Sequence, residues 1–455
     1  MSLLGAKVAA ARAAGALSRR SGRGGTSLPG KLLLALEPGA VGSLAARLPN
    51  GSAVISATNG KTTTAAMVAS ILERGGHRLV HNRAGANMAG GIAGTLLEAA
   101  GPGGSIDGDT GLFEIDEFWL DQLVPQLRPR ALLLANLFRD QLDRYGELDI
   151  IADRWAGVVA EAAGTTLVLN ADDPLVADLG RERDDVVYFG VEDPAMALPG
   201  LQHAADSKHC RRCGAPYRYD YVFLGHLGHY HCDGCGATRP APSVAAERVV
   251  LDGLRGARVT LRLPGATVEV ALPLPGLYNV YNALGAAALT TALGASPPEI
   301  VAGLEATAAA FGRAETVRIA DRDLLLLLVK NPAGANEVIR TLALEDGEHD
   351  LLAVLNDHTA DGRDISWVWD ADFELLAGRL ARVTCSGTRA AEMALRLKYA
   401  GVPEDRLVVE PSLSAGLDAA VTGGHGRLVA IPTYTAMLEL RRELVARGVA
   451  GSSFG

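Results

Sequence analysis

Two closely spaced cysteine pairs are the residues of this chain most clearly arranged for chemistry. Cys210 and Cys213 are separated by two residues, Cys232 and Cys235 by another two, and eighteen residues lie between the pairs. Such pairs can supply the four thiolates of a tetrahedral zinc ion, and closed four-thiolate sites are structural. Disulfides are the alternative, but they are rare in a reducing compartment. The spacing therefore predicts a structural zinc ribbon.

A glycine-lysine-threonine turn is the second chemically suggestive segment. It follows the apolar run 53–56 and precedes a helical pattern that begins near Thr64. In that context a glycine lets the backbone approach phosphates, a lysine reaches the terminal phosphate and a threonine hydroxyl binds magnesium. The general phosphate-loop pattern expects glycine where Ile55 stands, so a chance triplet in a structural turn is the alternative. The predicted nucleotide-binding residues are Thr58, Asn59, Gly60, Lys61, Thr62 and Thr63, with Thr62 also a magnesium ligand.

Apolar strand patterns alternate with helical patterns along most of the chain. This alternation predicts an α/β fold with parallel sheets, in which functional loops meet at the carboxyl edges of the strands. We divide the chain into an N-terminal helical segment (1–45), a central phosphate-loop domain (46–315) and a Rossmann-like C-terminal α/β domain (316–455). The stretch 208–240 interrupts the alternation of strands and helices and is rich in cysteine, histidine, tyrosine and glycine. This composition predicts a zinc ribbon inserted into the central domain.

The bulk composition excludes several classes of protein. The 455 residues carry a formal charge of -9, and 48% of them are hydrophobic, which predicts several globular domains rather than disorder. An acidic chain without a continuous basic run is not expected to bind nucleic acid. The longest apolar run, 324–329, is far shorter than the roughly 20 residues of a membrane-spanning helix, and it predicts a buried strand.

The beginning of the chain is basic and rich in alanine. Lys7 and Arg12 interrupt the stretch that would otherwise resemble a secretory signal, so an amphipathic helix is the preferred interpretation. We therefore expect a cytoplasmic protein, and such a helix would allow peripheral contact with the inner face of the membrane.

The fifth cysteine, Cys385, lies outside the two pairs. A nucleophile elbow would require glycine where Val383 stands. Without that elbow or a metal-binding partner motif, an inert buried thiol is the expected role.

Six segments, in order along the chain, resemble Mur ligases and folylpolyglutamate synthases. They are the phosphate loop itself and the stretches 113–117, 136–143, 169–174, 276–283 and 311–315. Each alone could be a turn or a solvated strand edge, but six in one order favour the family. The resemblance implies an ATP-dependent ligase with magnesium held by Glu114 and Thr62, and with nucleotide contacts from Asn279, Asn282 and Arg313.

The chain departs from the Mur ligase pattern in three respects. Gln141 stands where those enzymes usually carry a metal-binding histidine, and no lysine lies between Asp143 and Gly164 to hold a second magnesium ion. The chain also has barely fifty residues before the phosphate loop, so a full domain for a nucleotide sugar is not expected. Only the magnesium site at Thr62 and Glu114 is predicted.

Segments in the C-terminal half indicate one particular family among the Mur-type ligases. The stretches 330–337, 355–370 and 431–435, together with the zinc insert, resemble the MurT family of ligase subunits of lipid II isoglutaminyl synthases. The resemblance implies that ATP activates the α-carboxylate of D-glutamate in the lipid II stem peptide as an acyl phosphate, and that ammonia from a GatD-type glutaminase subunit displaces the phosphate.

The same resemblance implies that Asp361, with Asp364 as second choice, orients the histidine of the partner's glutaminase site across the subunit interface. Two alternative functions stay open on the sequence. One is a stand-alone Mur or folylpolyglutamate-type ligase that joins a whole amino acid. The other is a zinc-ribbon, nucleotide-binding module that acts on RNA.

Overall fold

The computed structural model describes residues 3–20, 28–82, 86–101, 104–140, 148–203, 205–307 and 313–450. Its strands are β1 Ser52–Ser56, β2 Leu79–His81, β3 Thr110–Glu114, β4 Ala131–Leu134, β5 Thr166–Asn170, β6 Val186–Val191, β7 Arg218–Leu224, β8 Leu227–His231, β9 Val244–Leu251, β10 Ala257–Leu263, β11 Ala266–Leu272, β12 Arg313–Ile319, β13 Arg322–Leu327, β14 His349–Val354, β15 Leu380–Ser386, β16 Leu407–Val409 and β17 Arg427–Pro432.

The helices connect these strands and cover the sheets. They are α1 Leu3–Arg20, α2 Leu28–Leu36, α3 Ala40–Ala45, α4 Lys61–Arg74, α5 Ala89–Ala99, α6 Leu120–Leu127, α7 Leu148–Glu161, α8 Pro174–Ala177, α9 Leu277–Leu293, α10 Pro297–Glu305, α11 Pro332–Ala343, α12 Glu374–Ala377, α13 Ala390–Tyr399, α14 Leu413–Thr422 and α15 Tyr434–Ala446.

The central domain is built on a nine-stranded sheet in the order β11-β10-β9-β6-β5-β4-β1-β3-β2. The strands from β9 to β2 are parallel, while β10 and β11 form an antiparallel edge. Val54 and Ile55, which are neighbours in β1, belong to two different hydrophobic cores. Because successive side chains of a strand point to opposite faces, helices cover both faces of this sheet. The carboxyl ends of β1, β3 and β4 therefore meet at one edge.

The C-terminal domain has a six-stranded sheet in the order β12-β13-β17-β14-β15-β16. It is parallel except for the antiparallel pair β12 and β13. Leu351 and Leu352, adjacent in β14, also pack into different cores, so this sheet too is covered on both faces. Between β6 and β9 the chain leaves the central sheet to form the antiparallel hairpin β7-β8, which carries the cysteine pairs at its ends.

The fold class expected from the sequence is confirmed, because two largely parallel sheets and an inserted cysteine hairpin are present. The apolar run 324–329 lies mainly in the buried strand β13, and the basic start of the chain forms α1, which buries Val8 and Ala11. The glycine-rich stretch that follows α1 lies outside the described residues. Among the described helices, none combines the length and the apolar character needed to cross a bilayer.

Candidate active site and metal centre

The predicted phosphate loop joins β1 to α4 at the carboxyl edge of the central sheet. Gly60 has a φ of +85°, a left-handed conformation that glycine adopts readily, and a Cβ at this position would come within 2.0 Å of Asn282 Oδ1. Asn136 fixes the loop, since its carbonyl accepts from the Thr58 N–H (3.0 Å) and its Oδ1 accepts from the Asn59 N–H (2.9 Å). The N-terminus of α4 follows directly, which is a favourable arrangement for binding phosphate.

Lys61, the first residue of α4, is held in place by an acidic partner. Its Nζ lies 2.8 Å from Glu117 Oε2, and both side chains are nearly buried. Burial opposes ionisation of Glu117, but the positive charges of Lys61 and Lys330 outweigh it and lower the pKa of this carboxyl. Burial and the negative charge of Glu117 raise the pKa of the neighbouring Asp116. A terminal phosphate would therefore compete with Glu117 for Lys61.

Glu114 lies at the end of β3, directly beside β1. The sheet register pairs it with Ile55, and Asn82 fixes its backbone by accepting from the Glu114 N–H (3.0 Å) and donating to its carbonyl (2.8 Å). Its side chain is 3% exposed, so the alternative of a solvated strand edge is wrong for Glu114. Thr62 lies in the first turn of α4 at the same sheet edge. A carboxylate and a hydroxyl placed in this way suit magnesium, which prefers oxygen ligands.

Asn279 and Asn282 lie in the first turns of α9, against the phosphate loop. Thr64 Oγ1 donates to Asn282 Oδ1 (3.3 Å), and Asn282 Nδ2 donates to Asn279 Oδ1 (3.0 Å). Asn279 Nδ2 in turn donates to the Pro275 carbonyl (2.8 Å). Both asparagines are buried. This chain of hydrogen bonds holds Asn282 beside the loop that the sequence predicts to bind nucleotide.

The C-terminal domain adds two residues to this site that were given no role from the sequence. Asn331 Nδ2 lies 2.9 Å from Asn59 Oδ1 of the phosphate loop. Lys330 forms an ion pair with Asp140, a carboxylate whose side chain is only 6% exposed. Burial raises the pKa of Asp140, although the charge of Lys330 opposes the rise. The signal for them in the sequence is the stretch 330–337, which follows the apolar run 324–329 and contributes to the resemblance to the MurT family.

Three residues named from the sequence cannot be placed in this geometry. Gln141 and Asp143 fall within 141–147, outside the described residues, and Arg313 begins β12 but its side chain is not described. The role of Arg313 in nucleotide binding therefore stays a prediction. The expectation that Thr62 and Glu114 form the only magnesium site stays a prediction as well.

The two candidate acids of the C-terminal domain lie in the loop after β14 but differ in exposure. Asp361 is 6% exposed, and its carboxylate accepts from the Thr435 N–H (2.7 Å) and from the Thr435 hydroxyl, in the first turn of α15. Asp364 is exposed and accepts from the Ser366 N–H (2.8 Å). Hydrogen bonds from the Ser366 N–H and hydroxyl lower the pKa of Asp364. Asp361 is thus buried in a helix contact, whereas Asp364 faces solvent as a carboxylate.

The four paired cysteines come together at one end of the β7-β8 hairpin. Their sulfur atoms all lie within 4.8 Å of one another. In each pair a glycine with positive φ, Gly214 or Gly236, follows the second cysteine, and its N–H donates to the carbonyl of the first. Although burial opposes it, the backbone N–H groups of Arg212 and Cys213 lower the pKa of the Cys210 thiol to about 6. Because zinc is bound by thiolates in tetrahedral geometry, the cluster of Cys210, Cys213, Cys232 and Cys235 fits this ion.

A buried polar network ties the end of the ribbon to the central domain. Asp172 Oδ1 accepts from Arg239 Nε (2.6 Å), and its Oδ2 accepts from the Tyr281 hydroxyl of α9 (2.7 Å). The adjacent Asp173 lies 3.5 Å from the ring of the fully buried His226. The ribbon and α9 therefore share one set of hydrogen bonds. Cys385, by contrast, is buried in β15, where burial raises its pKa to about 12.

Comparisons with known proteins agree with this architecture. Residues 55–214 match the Mur ligase middle domain, and residues 328–437 match the MurT ligase C-terminal domain. The MurT subunit of lipid II isoglutaminyl synthase (glutamine-hydrolyzing) from Staphylococcus aureus (strain N315) is 33% identical over 428 residues, which cover 94% of each chain. The chain belongs to the MurT family.

Two further comparisons support this membership. The MurT subunit from Streptococcus pneumoniae (strain ATCC BAA-255 / R6) is also 33% identical, over 431 residues and 94% of each chain. The structure of a pseudomurein peptide ligase type C from Methanothermus fervidus has a TM-score of 0.67 at 23% identity, covering 88% of this chain and 79% of that one, which establishes the Mur ligase fold. MurT family membership makes this chain an ATP-dependent ligase of the Mur type.

Proposed function

We propose that the chain uses ATP to amidate the α-carboxylate of D-glutamate in the lipid II stem peptide, which yields D-isoglutamine. The observation that carries the proposal is the similarity to MurT subunits over 94% of the chain, since it includes the C-terminal domain as well as the phosphate loop. The carboxylate attacks the terminal phosphorus of ATP, and ADP leaves. Ammonia then attacks the carbonyl carbon of the acyl phosphate, the carbon–oxygen bond to phosphate breaks, and the nitrogen loses a proton.

The first step depends on positive groups gathered around the phosphate loop. The N–H groups at the start of α4 bind phosphate oxygens, and Lys61 exchanges Glu117 for the terminal phosphate, where it neutralises developing negative charge. Thr62 and Glu114 would hold magnesium, which adds further charge neutralisation when bound. Lys330 supplies a second ammonium group from the C-terminal domain. These residues bind and orient the two anionic reactants, which would otherwise repel each other.

The remaining loop residues and the asparagines of α9 position the nucleotide. Thr58 and Asn59 shape the loop through their contacts with Asn136. The positive φ of Gly60 lets the loop turn into α4, and Thr63 is buried in the first turn of that helix. We assign Asn279, Asn282 and Arg313 to the nucleotide as well, with Asn282 supported by its position beside Gly60. All these roles belong to one ATP site at the carboxyl edge of the central sheet.

The ammonia is proposed to come from a GatD-type glutaminase subunit. The MurT relatives are named as subunits of a glutamine-hydrolysing synthase, and Cys385, the cysteine outside the ribbon, is buried with a raised pKa, which suits no nucleophile. A Cys-His glutaminase site needs a carboxylate to orient its imidazole. We assign this role to Asp364 rather than Asp361, because a group that acts across an interface must be exposed before the partner binds.

The zinc ion is proposed to be structural. Four thiolates would complete its coordination and leave no position for substrate. The hydrogen bonds that join Asp172 to Arg239 and Tyr281 place the ribbon where it can stabilise the helix that carries the two asparagines. Loss of zinc should therefore affect folding before catalysis.

The proposal is tested by measuring ADP release from purified chain and a GatD-type partner with lipid II, in the presence of glutamine, ammonium, amino acids or RNA. We expect release with lipid II plus either nitrogen source, and an amidated stem peptide by mass spectrometry. Release that requires a whole amino acid, and incorporates it, would support the alternative ligase function. Release that depends on RNA would support the zinc-ribbon module instead, and a Glu114→Ala variant controls for contaminating ATPases.

A further inference from the structure

A row of three leucines on α2 faces away from the protein. Leu28, Leu32 and Leu36 are four residues apart, so they lie on one side of the helix, and they are 52%, 37% and 41% exposed. Large apolar side chains on successive turns of one helix lie next to one another and form one apolar face. Contiguous exposed apolar surface of this kind often marks an interaction site.

Close packing on the other side of α2 fixes this orientation. Gly30 and Leu33 are buried, and a Cβ on Gly30 would come within 1.9 Å of the Gly90 carbonyl and 2.4 Å of the Gly94 backbone nitrogen in α5. Because the two helix backbones approach so closely at these glycines, α2 cannot turn its leucines inward without losing the contact. The packing of α2 against α5 therefore fixes the outward orientation of the three leucines.

The charge of this part of the chain differs in sign from the rest. The first 36 residues contain six basic residues and no acidic one, whereas the remaining residues contain 37 basic and 52 acidic residues. Lys31 is exposed on α2, next to the leucine face. The basic residues of this segment are Lys7, Arg12, Arg19, Arg20, Arg23 and Lys31.

We propose that the leucine face of α2 docks on the surface of an anionic lipid bilayer. An amphipathic helix at such a surface buries its apolar side chains among the lipid headgroups, while lysines and arginines attract anionic lipids. Both features occur together in this segment. A second copy of the chain is a poorer occupant, because pairing two leucine faces would bring together two α2 helices that each carry the exposed Lys31 and no acidic residue.

The docking surface lies close to the proposed active site. Gly90, which contacts α2, is in the first turn of α5, and Asn87 precedes that helix by two residues. Asn87 Nδ2 lies 3.5 Å from Glu114 Oε1. The helix pair that carries the leucine face is therefore connected to the proposed magnesium ligand through Asn87. The proposal concerns bilayer lipids, so it goes beyond the proposed reaction and does not depend on it.

The test is co-sedimentation of the full chain with vesicles that contain no cell-wall precursor. We expect binding to phosphatidylcholine vesicles that include phosphatidylglycerol, much weaker binding to phosphatidylcholine alone, and a decrease as salt is added. Replacing the three leucines together (Leu28→Gln, Leu32→Gln, Leu36→Gln) should weaken binding about tenfold or more, from the apolar area removed. Lys31→Glu should also weaken it.

The matched control replaces two exposed leucines of the C-terminal domain, Leu375→Gln and Leu395→Gln, which are 53% and 47% exposed. This control should bind vesicles as the unchanged chain does, and circular dichroism should show all variants folded. No binding to anionic vesicles, or equal binding by the triple variant, would overturn the proposal. So would a concentration-dependent dimer in solution that the triple variant abolishes, since a second copy would then cover this face. Because no substrate is present, failure here leaves the proposed reaction untouched.

Discussion

Asp361 and Asp364 lie in one loop, and replacing them separately should show that Asp361 stabilises the fold whereas Asp364 supports glutamine-dependent activity. Asp361 accepts two hydrogen bonds from Thr435 at the start of α15 and is buried. A hydrogen bond to a charged group contributes about 1.5–3 kcal/mol, and loss of a helix-capping acceptor costs about 0.5–2 kcal/mol. We therefore expect Asp361→Ala to lower the free energy of unfolding by about 2–3 kcal/mol, which combines these contributions conservatively.

Asp364 should behave in the opposite way. It is exposed and accepts from the Ser366 backbone, so Asp364→Asn should change stability by no more than about 0.5 kcal/mol. Its lowered folded-state pKa means that it is ionised throughout the neutral range, and its small contribution to stability is lost only as pH falls through that pKa. In hydrolase triads, Asp→Asn at this role reduces turnover by about 10⁴-fold. We expect glutamine-dependent amidation to fall by about 10²-fold or more, and ammonium-dependent amidation to persist.

The assay combines urea unfolding of each variant with amidation by the partner complex, fed first with glutamine and then with ammonium. Complex formation is checked by size-exclusion chromatography, so that lost binding is not taken for lost chemistry. The reasoning is refuted if Asp361→Ala removes only glutamine-dependent activity at unchanged stability while Asp364→Asn retains it. Equal loss with both nitrogen sources would instead place the affected carboxylate in the ligase reaction.

Four other changes test the remaining parts of the site. Glu114→Ala should reduce ADP release by about 10²-fold or more in a folded protein, measured by coupled assay and circular dichroism, because magnesium contributes several kcal/mol. Cys235→Ser should remove the bound zinc in elemental analysis and lower the melting temperature, because the ion stabilises the ribbon. Lys330→Met should decrease kcat for ADP release by about tenfold or more, since a charge opposite the phosphates is lost; unchanged kcat would limit Lys330 to pairing with Asp140. Cys385, whose pKa burial raises to about 12, should resist alkylation at mildly alkaline pH until the protein is unfolded.

Local patterns suffice to place the phosphate loop and Glu114 near one another, because these parts are close in sequence or lie at the ends of adjacent strands. The phosphate loop is continuous from Ala57 to Thr63, and Glu114 ends the strand that pairs with β1. Strand order in a parallel sheet then brings these groups to one edge without further information. The cysteine pairs are a similar case, since the spacing within each pair and a hairpin between them suffice to define the cluster.

The contacts between domains could not be predicted in this way. Lys330 and Asp140 are separated by 190 positions, and whether they meet depends on how two separate sheets pack together. The segment from Lys330 to Glu337 contributes to the resemblance to the MurT family, but nothing local to it specifies a partner in the other domain. The hydrogen bond between Asn331 and Asn59 joins residues 272 positions apart. It likewise depends on how the two domains pack together.

The order of the two candidate acids depended on a contact of the same kind. Asp361 and Asp364 are identical side chains in one loop, only three residues apart. Their local sequence therefore gives no reason why the first should be buried and the second exposed. The difference comes from Thr435, which is 74 positions away from Asp361 and begins α15 beside the end of β14, because β17 is the sheet neighbour of β14. Sheet order thus turns Asp361 toward the start of α15, whereas Asp364 stays exposed on the same loop.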